Sequence, residues 1–347
     1  RDCLLSRGLG DVYKRQDGKI INALKDVRAG MLRFPGGNET SFYHWEYPGS
    51  PGYLDVFNPE HKEQIEATIK IEDTKSKETS NMDTDEFIAV CRQIGAEPLL
   101  GINILSGIQN KREQESLDEA VRWVQYCKDK GYNVKYWYLD NEVNSPGAYG
   151  RPLYAKDYAG YIERYSKALK AVDPDIKLVA NLLHSDVEDK KELISRAGKY
   201  FDILDLHYYY GWDVAEWNKW IAQRPIVDQY RKLTYTNMIN DLSSFIKNSE
   251  TPHIELAVLE WNIAPTKAGI LSDYQQALMQ TEMFQQFLQS DLKMACVWPL
   301  IWSVDKGTFP SILTQDEHSP TPLYQILKLY SEVLGLSLIH ISEPTRQ

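Results

Sequence analysis

The chain of 347 residues lacks the sequence features that mark several large classes of protein. Its four cysteines, Cys3, Cys91, Cys127 and Cys296, form no CxxC pair, which argues against a disulfide framework or a zinc site. No apolar run approaches the roughly 20 residues that cross a bilayer. The chain has no block of Lys and Arg, and its net charge of −10 argues against a nucleic acid or an anionic membrane as partner. A neutral ligand is therefore favoured.

Gly-rich turns that bind phosphate groups are also missing, since neither GxGxxG nor GxxxxGK[ST] occurs in the chain. We therefore predict a protein that uses neither a cofactor nor a metal. Aromatic residues are abundant instead, with 22 Tyr and 9 Trp. Their flat rings with polar tips suit both the edges of a core and the faces of sugar rings.

The two ends of the chain differ from the rest. Residues 1–16 and 336–347 resemble translated sequencing-adaptor text of the kind found at the ends of metagenomic reading frames. We predict that both are artefactual extensions and that residues 17–335 form the functional domain. Because the natural N-terminus is then missing, the lack of a signal peptide leaves the cellular location open.

Seven short apolar runs alternate with longer amphipathic stretches between these ends. They are predicted to be strands and cover residues 31–34, 97–104, 134–139, 176–182, 203–208, 254–259 and 294–298. Continuous apolar character is typical of parallel strands that are covered on both faces. Alternation of strands and helices predicts a parallel α/β sheet, and without a phosphate loop a (β/α)8 TIM-type barrel is favoured over an open doubly wound sheet.

A complete barrel of this type has eight strands, and a predicted helix around residues 22–27 precedes the first strand found. We therefore predict that the natural first strand is missing and that residues 17–335 are a barrel fragment with two exposed sheet edges.

Helix starts are signalled at two places. Asp83 with Glu86, and Ser116 with Glu119, have the spacing of a capping box. Gly131 stands where the second of these helices should end.

Two of the predicted strands lead into a glutamate, Glu142 after the run ending at Leu139 and Glu260 after the run ending at Leu259. The carboxyl ends of parallel barrel strands open on one face, so the two side chains should share a pocket. Hydrolysis of a glycosidic bond needs two carboxyl groups, about 5 Å apart for retention of configuration and about 6.5–9.5 Å apart for inversion. Asn141, directly before Glu142, is placed to bind a sugar hydroxyl next to the reacting carbon.

The segment Leu32-Arg33-Phe34-Pro35-Gly36-Gly37-Asn38 resembles the second-strand signature of glycoside hydrolase family 51, the α-L-arabinofuranosidases of clan A. The ends of the family's third, sixth and seventh strands resemble Gly101-Ile102-Asn103, His207-Tyr208-Tyr209 and Glu260-Trp261-Asn262. The resemblance spans about residues 18–334, and the combination of motifs is more specific to the clan than to the family.

This resemblance implies that Glu142 is the general acid/base and Glu260 the nucleophile of a retaining enzyme. Arg33 would pair with Glu260 and keep it ionised, because a nearby guanidinium lowers a carboxylate pKa. The other residues implied to bind substrate or support the pocket are Asn38, Asn103, Asn141, His207, Tyr209, Trp261 and Trp302. Trp298 either stacks on a sugar or packs in the core.

The chain departs from the family at Asp140, where the family usually has Gly, and this carboxylate would tend to raise the pKa of Glu142 if the two lie close together. We also expect neither the family's first strand nor its C-terminal β-sandwich domain in this chain.

We predict a retaining glycoside hydrolase, an α-L-arabinofuranosidase acting on arabinose-containing plant polysaccharide, with an oligo- or polysaccharide as substrate. Assembly into a homo-oligomer is a further prediction. Two alternatives remain open: another clan A activity, such as a β-xylosidase, an endo-glycanase or an agarase, with the same two glutamates, or a non-catalytic saccharide-binding barrel.

Overall fold

The computed structural model of the chain describes residues 18–72, 81–145, 149–182, 187–210, 217–222, 227–228, 233–264, 271–301 and 310–333. The predicted extensions at residues 1–16 and 336–347 lie outside these ranges, so their nature remains a prediction.

The strands are β1 (Met31–Phe34), β2 (Glu97–Ile102), β3 (Tyr136–Leu139), β4 (Lys177–Asn181), β5 (Ile203–Asp205), β6 (Tyr208–Tyr210), β7 (Val227–Asp228), β8 (Leu233–Thr234), β9 (Glu255–Ile263) and β10 (Leu292–Val297). The helices are α1 (Gly18–Asp26), α2 (Lys62–Glu72), α3 (Thr84–Ile94), α4 (Leu105–Gln109), α5 (Glu113–Asp129), α6 (Ala155–Val172), α7 (Val187–Ala197), α8 (Trp217–Ala222), α9 (Tyr235–Lys247), α10 (Asp273–Leu288) and α11 (Pro322–Val333). Short 3-10 turns lie at Gly37–Phe42, Ser50–Tyr53, Pro59–His61 and Gly198–Tyr200. Within these ranges no helix is both long and apolar enough to span a membrane.

The main sheet is parallel throughout, with the strand order β1-β2-β3-β4-β5-β9-β10. Each predicted strand is found in it, and the helices between strands confirm the α/β, TIM-type fold. One run predicted as a single strand, residues 203–208, is instead divided: β5 pairs with the first half of β9, and β6 pairs with its second half. A small antiparallel pair, β7 and β8, stands apart from this sheet.

The sheet opens between β1 and β10, because no strand of the described residues pairs with the outer edge of either. The predicted first strand of an eight-strand barrel would lie in this opening. On the helix side the opening is bridged by α1 and α11. The Tyr324 hydroxyl donates to Asp26 Oδ2 at 2.8 Å, and Lys328 Nζ lies 3.2 Å from the same oxygen.

Side chains of the strands alternate between two cores. One core contains strand residues alone and fills the concave side of the sheet, with the members Met31, Leu99, Tyr138, Val179, Ile203, Ala257, Leu259, Met294 and Cys296. The larger core joins the other face of the sheet to the helices. Because neighbouring residues of a strand point to opposite faces, each strand serves both cores.

One of the two predicted helix starts is correct. Asp83 and Glu86 form a complete capping box at the start of α3. The other is wrong, because α5 begins near Glu113, and the Ser116 hydroxyl donates to Asn103 O at 2.7 Å instead of capping the helix. Acidic residues in the first turn of α5 favour the earlier start, since they face the positive end of the helix dipole.

Candidate active site

Polar side chains gather where the parallel strands end. Arg33 lies on β1, Asp205 ends β5, and Glu260 lies within the long strand β9. Glu142 follows the end of β3, and His207 stands between β5 and β6. The fold therefore brings together five groups that are far apart in sequence, as expected for the carboxyl end of a barrel.

Glu260 is held by two donors. Arg33 Nη1 lies 3.0 Å from its Oε2, and the Tyr209 hydroxyl donates to its Oε1 at 2.6 Å. The Arg33 guanidinium also lies 4.1 Å from the ring centre of Tyr138. Burial alone would lower the pKa of Arg33, but Tyr138 and Glu260 outweigh burial and raise it, so the guanidinium stays charged. These contacts stabilise Glu260 as a carboxylate.

Glu142 is more open to solvent, with 17% of its side chain exposed. Its Oε1 accepts a hydrogen bond from His207 Nδ1 at 2.9 Å, and its backbone amide donates to Asn181 Oδ1 at 2.8 Å. Its φ of 45° lies in the left-handed region, which few residues other than Gly adopt without strain. The turn that carries Glu142 is thus held by contacts from β4 and from His207.

His207 lies between carboxylates. Its Nε2 is 2.8 Å from Asp205 Oδ2, and its Nδ1 is 3.7 Å from Glu260 Oε2 as well as in contact with Glu142. Burial alone would lower the pKa of His207, but Asp205, Glu260 and Glu142 together raise it to about 10. The ring is therefore a cation at neutral pH and donates from both nitrogens.

The two glutamates lie close together. Glu142, His207 and Glu260 each present one atom within 4.8 Å of the other two. This close approach of carboxylate oxygens agrees better with the roughly 5 Å between the carboxyl groups of a retaining enzyme than with the about 6.5–9.5 Å of an inverting one.

The same three side chains have the spacing of metal ligands. A metal-bound histidine must offer a lone pair, whereas both ring nitrogens of His207 already lie within hydrogen-bond distance of carboxylates. Arg33 adds a second positive charge beside Glu260. This arrangement favours a pair of acid/base carboxylates over a cation site.

Two amides line the opening of the site. Asn141 Oδ1 accepts from Arg33 Nη2 at 2.5 Å, and Asn141 Nδ2 donates to Asn38 Oδ1 at 3.2 Å. Asn38 is exposed on the 3-10 turn after β1. Asn38 is therefore open to solvent, whereas Asn141 is buried between Asn38 and Arg33, directly before Glu142.

Asn103 makes its hydrogen bonds with loops on either side of it. Its Oδ1 accepts from Ser106 N at 3.1 Å and its Nδ2 donates to Tyr43 O at 3.4 Å, so Asn103 supports the turn before α4.

Trp261 points into the helix-side core, with no exposed surface and its ring 6.1 Å from that of Phe284. The residue after Glu260 on a strand must face the opposite side, so only a supporting role fits Trp261. Trp298 stands edge-on to Tyr209, with ring centres 6.0 Å apart, and Trp302 lies outside the described residues.

Three residues of the site escaped the sequence analysis: Tyr138, Asn181 and Asp205. Asn181 donates to Asp205 Oδ2 at 3.0 Å, and Asp205 Oδ1 accepts from Leu259 N at 2.7 Å, which ties β4, β5 and β9 together. Asn181 and Asp205 are polar residues at the ends of predicted strands, and that signal could have found them. Tyr138 lies within an apolar run and carries no comparable signal.

Asp140 has its contacts elsewhere than at Glu142. Its carboxylate accepts from the backbone amides of Ile104 and Leu105, each at 2.7 Å, from its neighbour Asn141, and from the Ser41 hydroxyl. The extra carboxylate expected beside Glu142 thus serves the loops around the site.

Comparison with known proteins places these features in a family. A family model described as the alpha-L-arabinofuranosidase 1 domain matches residues 23–232. The chain is 32% identical over 176 residues to alpha-L-arabinofuranosidase C of Emericella nidulans, a match that covers 46% of this chain and 31% of that protein. It is 22% identical over 321 residues to an intracellular exo-alpha-(1->5)-L-arabinofuranosidase of Halalkalibacterium halodurans, covering 81% of this chain and 60% of the relative.

The fold is also similar to solved structures. The arabinose complex of an alpha-L-arabinofuranosidase from Thermotoga maritima superposes with a TM-score of 0.65 at 23% identity, covering 90% of this chain and 63% of that one. The match thus spans less than two thirds of the length of each of these three relatives.

Proposed function

The chain belongs to the family of the alpha-L-arabinofuranosidase 1 domain, and on that premise we propose that it is a retaining glycoside hydrolase that releases α-L-arabinofuranose from arabinose-containing polysaccharide. The observation that carries the proposal is the pair of glutamates, Glu142 and Glu260, within 4.8 Å of each other at the carboxyl ends of the strands.

In the first step Glu260 attacks the anomeric carbon while Glu142 gives its proton to the departing glycosidic oxygen. Arg33 and Tyr209 orient the Glu260 carboxylate for this attack. In the second step Glu142, now a carboxylate, takes a proton from water, and the resulting hydroxyl displaces Glu260 from the sugar. His207 contacts Glu142 in a position to stabilise its negative charge between the two steps.

The substrate part of the proposal rests on the relatives and on the amides at the opening. Curated relatives that match the chain are named alpha-L-arabinofuranosidases, and one of them is named for exo action on α-(1→5) linkages. Asn38 and Asn141 supply donors and acceptors next to the reacting carboxylates, as a hydroxyl-rich sugar requires. Exo action on terminal arabinofuranose is accordingly our proposal for this chain.

The test is a panel of aryl glycosides that includes α-L-arabinofuranoside and β-D-xylopyranoside, with Glu142→Ala and Glu260→Ala beside the unmodified chain. We expect arabinofuranoside turnover that falls by a factor of about 10⁴ or more in Glu260→Ala. Added azide should restore product formation, giving the inverted glycosyl azide with Glu260→Ala and the retained one with Glu142→Ala. Glu255→Ala is the matched control, since Glu255 lies exposed at the opposite end of the same strand.

The outcomes separate the alternatives. Turnover of another glycoside alone would keep the two glutamates and transfer the substrate to a β-xylosidase, endo-glycanase or agarase activity. Saccharide binding without turnover, unchanged in Glu260→Gln, would support a non-catalytic barrel. Activity that survives Glu260→Ala would contradict the assignment of the nucleophile.

We also propose that identical chains associate, a prediction that light scattering tests directly. A mass of one chain across the micromolar range would contradict it.

A further inference from the structure

Asp140 is a buried carboxylate that the proposed reaction does not use. It has no exposed surface, and its φ of 68° lies in the region that favours Gly. Asp tolerates this region better than most residues but is still strained there. A carboxylate at a position that favours Gly is expected to make contacts that offset the strain, and Gly would lose those contacts.

Those contacts join three successive loops at the mouth of the sheet. Asp140 Oδ1 accepts from the Ser41 hydroxyl at 2.5 Å, in the turn that follows β1. Asp140 Oδ2 accepts from Ile104 N and Leu105 N, each at 2.7 Å, where the chain enters α4 after β2. Oδ1 also accepts from Asn141 N at 2.6 Å, within the turn after β3.

The first of these loops also reaches the site directly. Asn38 lies in the same 3-10 turn as Ser41, and its Oδ1 accepts from Asn141 Nδ2 at 3.2 Å. Asn141 in turn accepts from Arg33, the partner of Glu260. A shift of the Asp140 carboxylate would therefore move Asn141 and the adjacent Glu142 relative to Glu260.

We propose that Asp140 is a positioning residue that fixes the Asn141–Glu142 turn, so that the proton of Glu142 lies in line with the departing glycosidic oxygen. The inference rests on the proposed function of Glu142 as the general acid. It differs from a purely structural role because it predicts a defect confined to proton transfer.

A matched carboxylate at the other end of the strands separates the two roles. Asp202 is also buried and accepts from a backbone amide, Leu178 N, at 2.9 Å. It directly precedes β5 and so lies away from the carboxyl ends where the site is built. Loss of Asp202 should affect folding without affecting one step of the reaction.

The experiment measures kcat/KM of Asp140→Gly, Ser41→Ala and Asp202→Asn with aryl α-L-arabinofuranosides of different leaving groups. The 2,4-dinitrophenolate leaving group departs without acid assistance, whereas the phenolate leaving group of a phenyl substrate needs the proton of Glu142. We expect kcat/KM of Asp140→Gly to fall by about 10- to 100-fold on the phenyl substrate and by less than about 3-fold on the dinitrophenyl substrate. Ser41→Ala, which removes one of the contacts, should show the same selectivity with a smaller loss.

Asp202→Asn should change kcat/KM by the same factor on both substrates. Equal losses on the two substrates in both Asp140→Gly and Ser41→Ala, or no loss in either, would overturn the positioning role. If Asp140→Gly does not fold, Ser41→Ala decides alone. The proposed function is judged separately, because it fails if the unmodified chain does not hydrolyse the arabinofuranosides or if Glu260→Ala stays active.

Discussion

Arg33 contacts three members of the site with one guanidinium: Glu260, Asn141 and the ring of Tyr138. A lysine keeps the charge but lacks the planar fork that makes these contacts at once. We expect Arg33→Lys to lower kcat by about 100-fold. The measurement is kcat on the aryl glycoside that the unmodified chain cleaves.

Arg92→Lys is the control, because Arg92 also lies over a tyrosine ring, that of Tyr132, but does so on the exposed surface. An Arg33→Lys enzyme as active as Arg92→Lys would show that charge alone is needed at this position.

Tyr209 supplies the second donor to Glu260 at 2.6 Å. Tyr209→Phe removes that hydrogen bond and keeps the ring against Trp298. We expect kcat to fall by about 10- to 150-fold, since a hydrogen bond to a charged group is worth about 1.5–3 kcal/mol. Tyr324→Phe loses a tyrosine–carboxylate contact far from the site and should leave kcat unchanged. Equal kcat values for the two variants would exclude a role for Tyr209 in orienting the nucleophile.

At the scale of elements, the strand β2 needs a Gly at the position where the ring of Tyr138, on the neighbouring strand β3, lies against its backbone. A Cβ on Gly101 would lie 2.3 Å from Tyr138 Cζ and 2.6 Å from Thr40 Cγ2. Gly101→Ala should therefore lower the free energy of unfolding by about 1–3 kcal/mol and displace the ring that lies against Arg33. Unfolding by denaturant measures the free energy of unfolding, and kcat reports the displacement of the ring.

The control is Gly160→Ala on α6, where a Cβ meets nothing within 4 Å. It should raise the stability by about 0.5–1 kcal/mol, because Ala suits a helix interior better than Gly does. A Gly101→Ala protein as stable as the unmodified chain would mean that Tyr138 moves aside without cost.

The sequence predicted the strands of the main sheet because buried parallel strands are continuous apolar runs, which stand out against amphipathic helices. It also predicted that Glu142 and Glu260 share a pocket, because the carboxyl ends of parallel strands meet on one face. It did not predict the neighbours of His207, since the contact with Asp205 depends on a bend between β5 and β6. The inward or outward direction of Trp261 needed the register of β9, which a continuous apolar run leaves undefined.

At the scale of the whole molecule, His207 links stability to pH. Its pKa is about 10 in the folded chain and about 6.5 when unfolded, so its contribution to stability is complete below pH 6.5. That contribution is lost as the pH rises from 6.5 to 10, because the unfolded ring gives up its proton first. We expect the melting temperature of the unmodified chain to fall more steeply over this range than that of His207→Gln. If the melting temperatures of the two proteins fell equally with pH, the ring would be neutral in the folded chain.

The charges gathered around His207 have one more consequence. Arg33 and His207 carry two positive charges, and Asp205 and Glu260 carry two negative ones, so the charges of these four groups and a protonated Glu142 sum to zero. In the proposed reaction, formation of the sugar ester neutralises Glu260 just as Glu142 becomes negative, and the sum over these groups remains zero. The reaction then moves charge within the site and draws none from the surrounding ions. Turnover by this acidic chain should accordingly vary less than about twofold between 0.05 and 0.5 M NaCl, although its surface ion pairs are screened over that range.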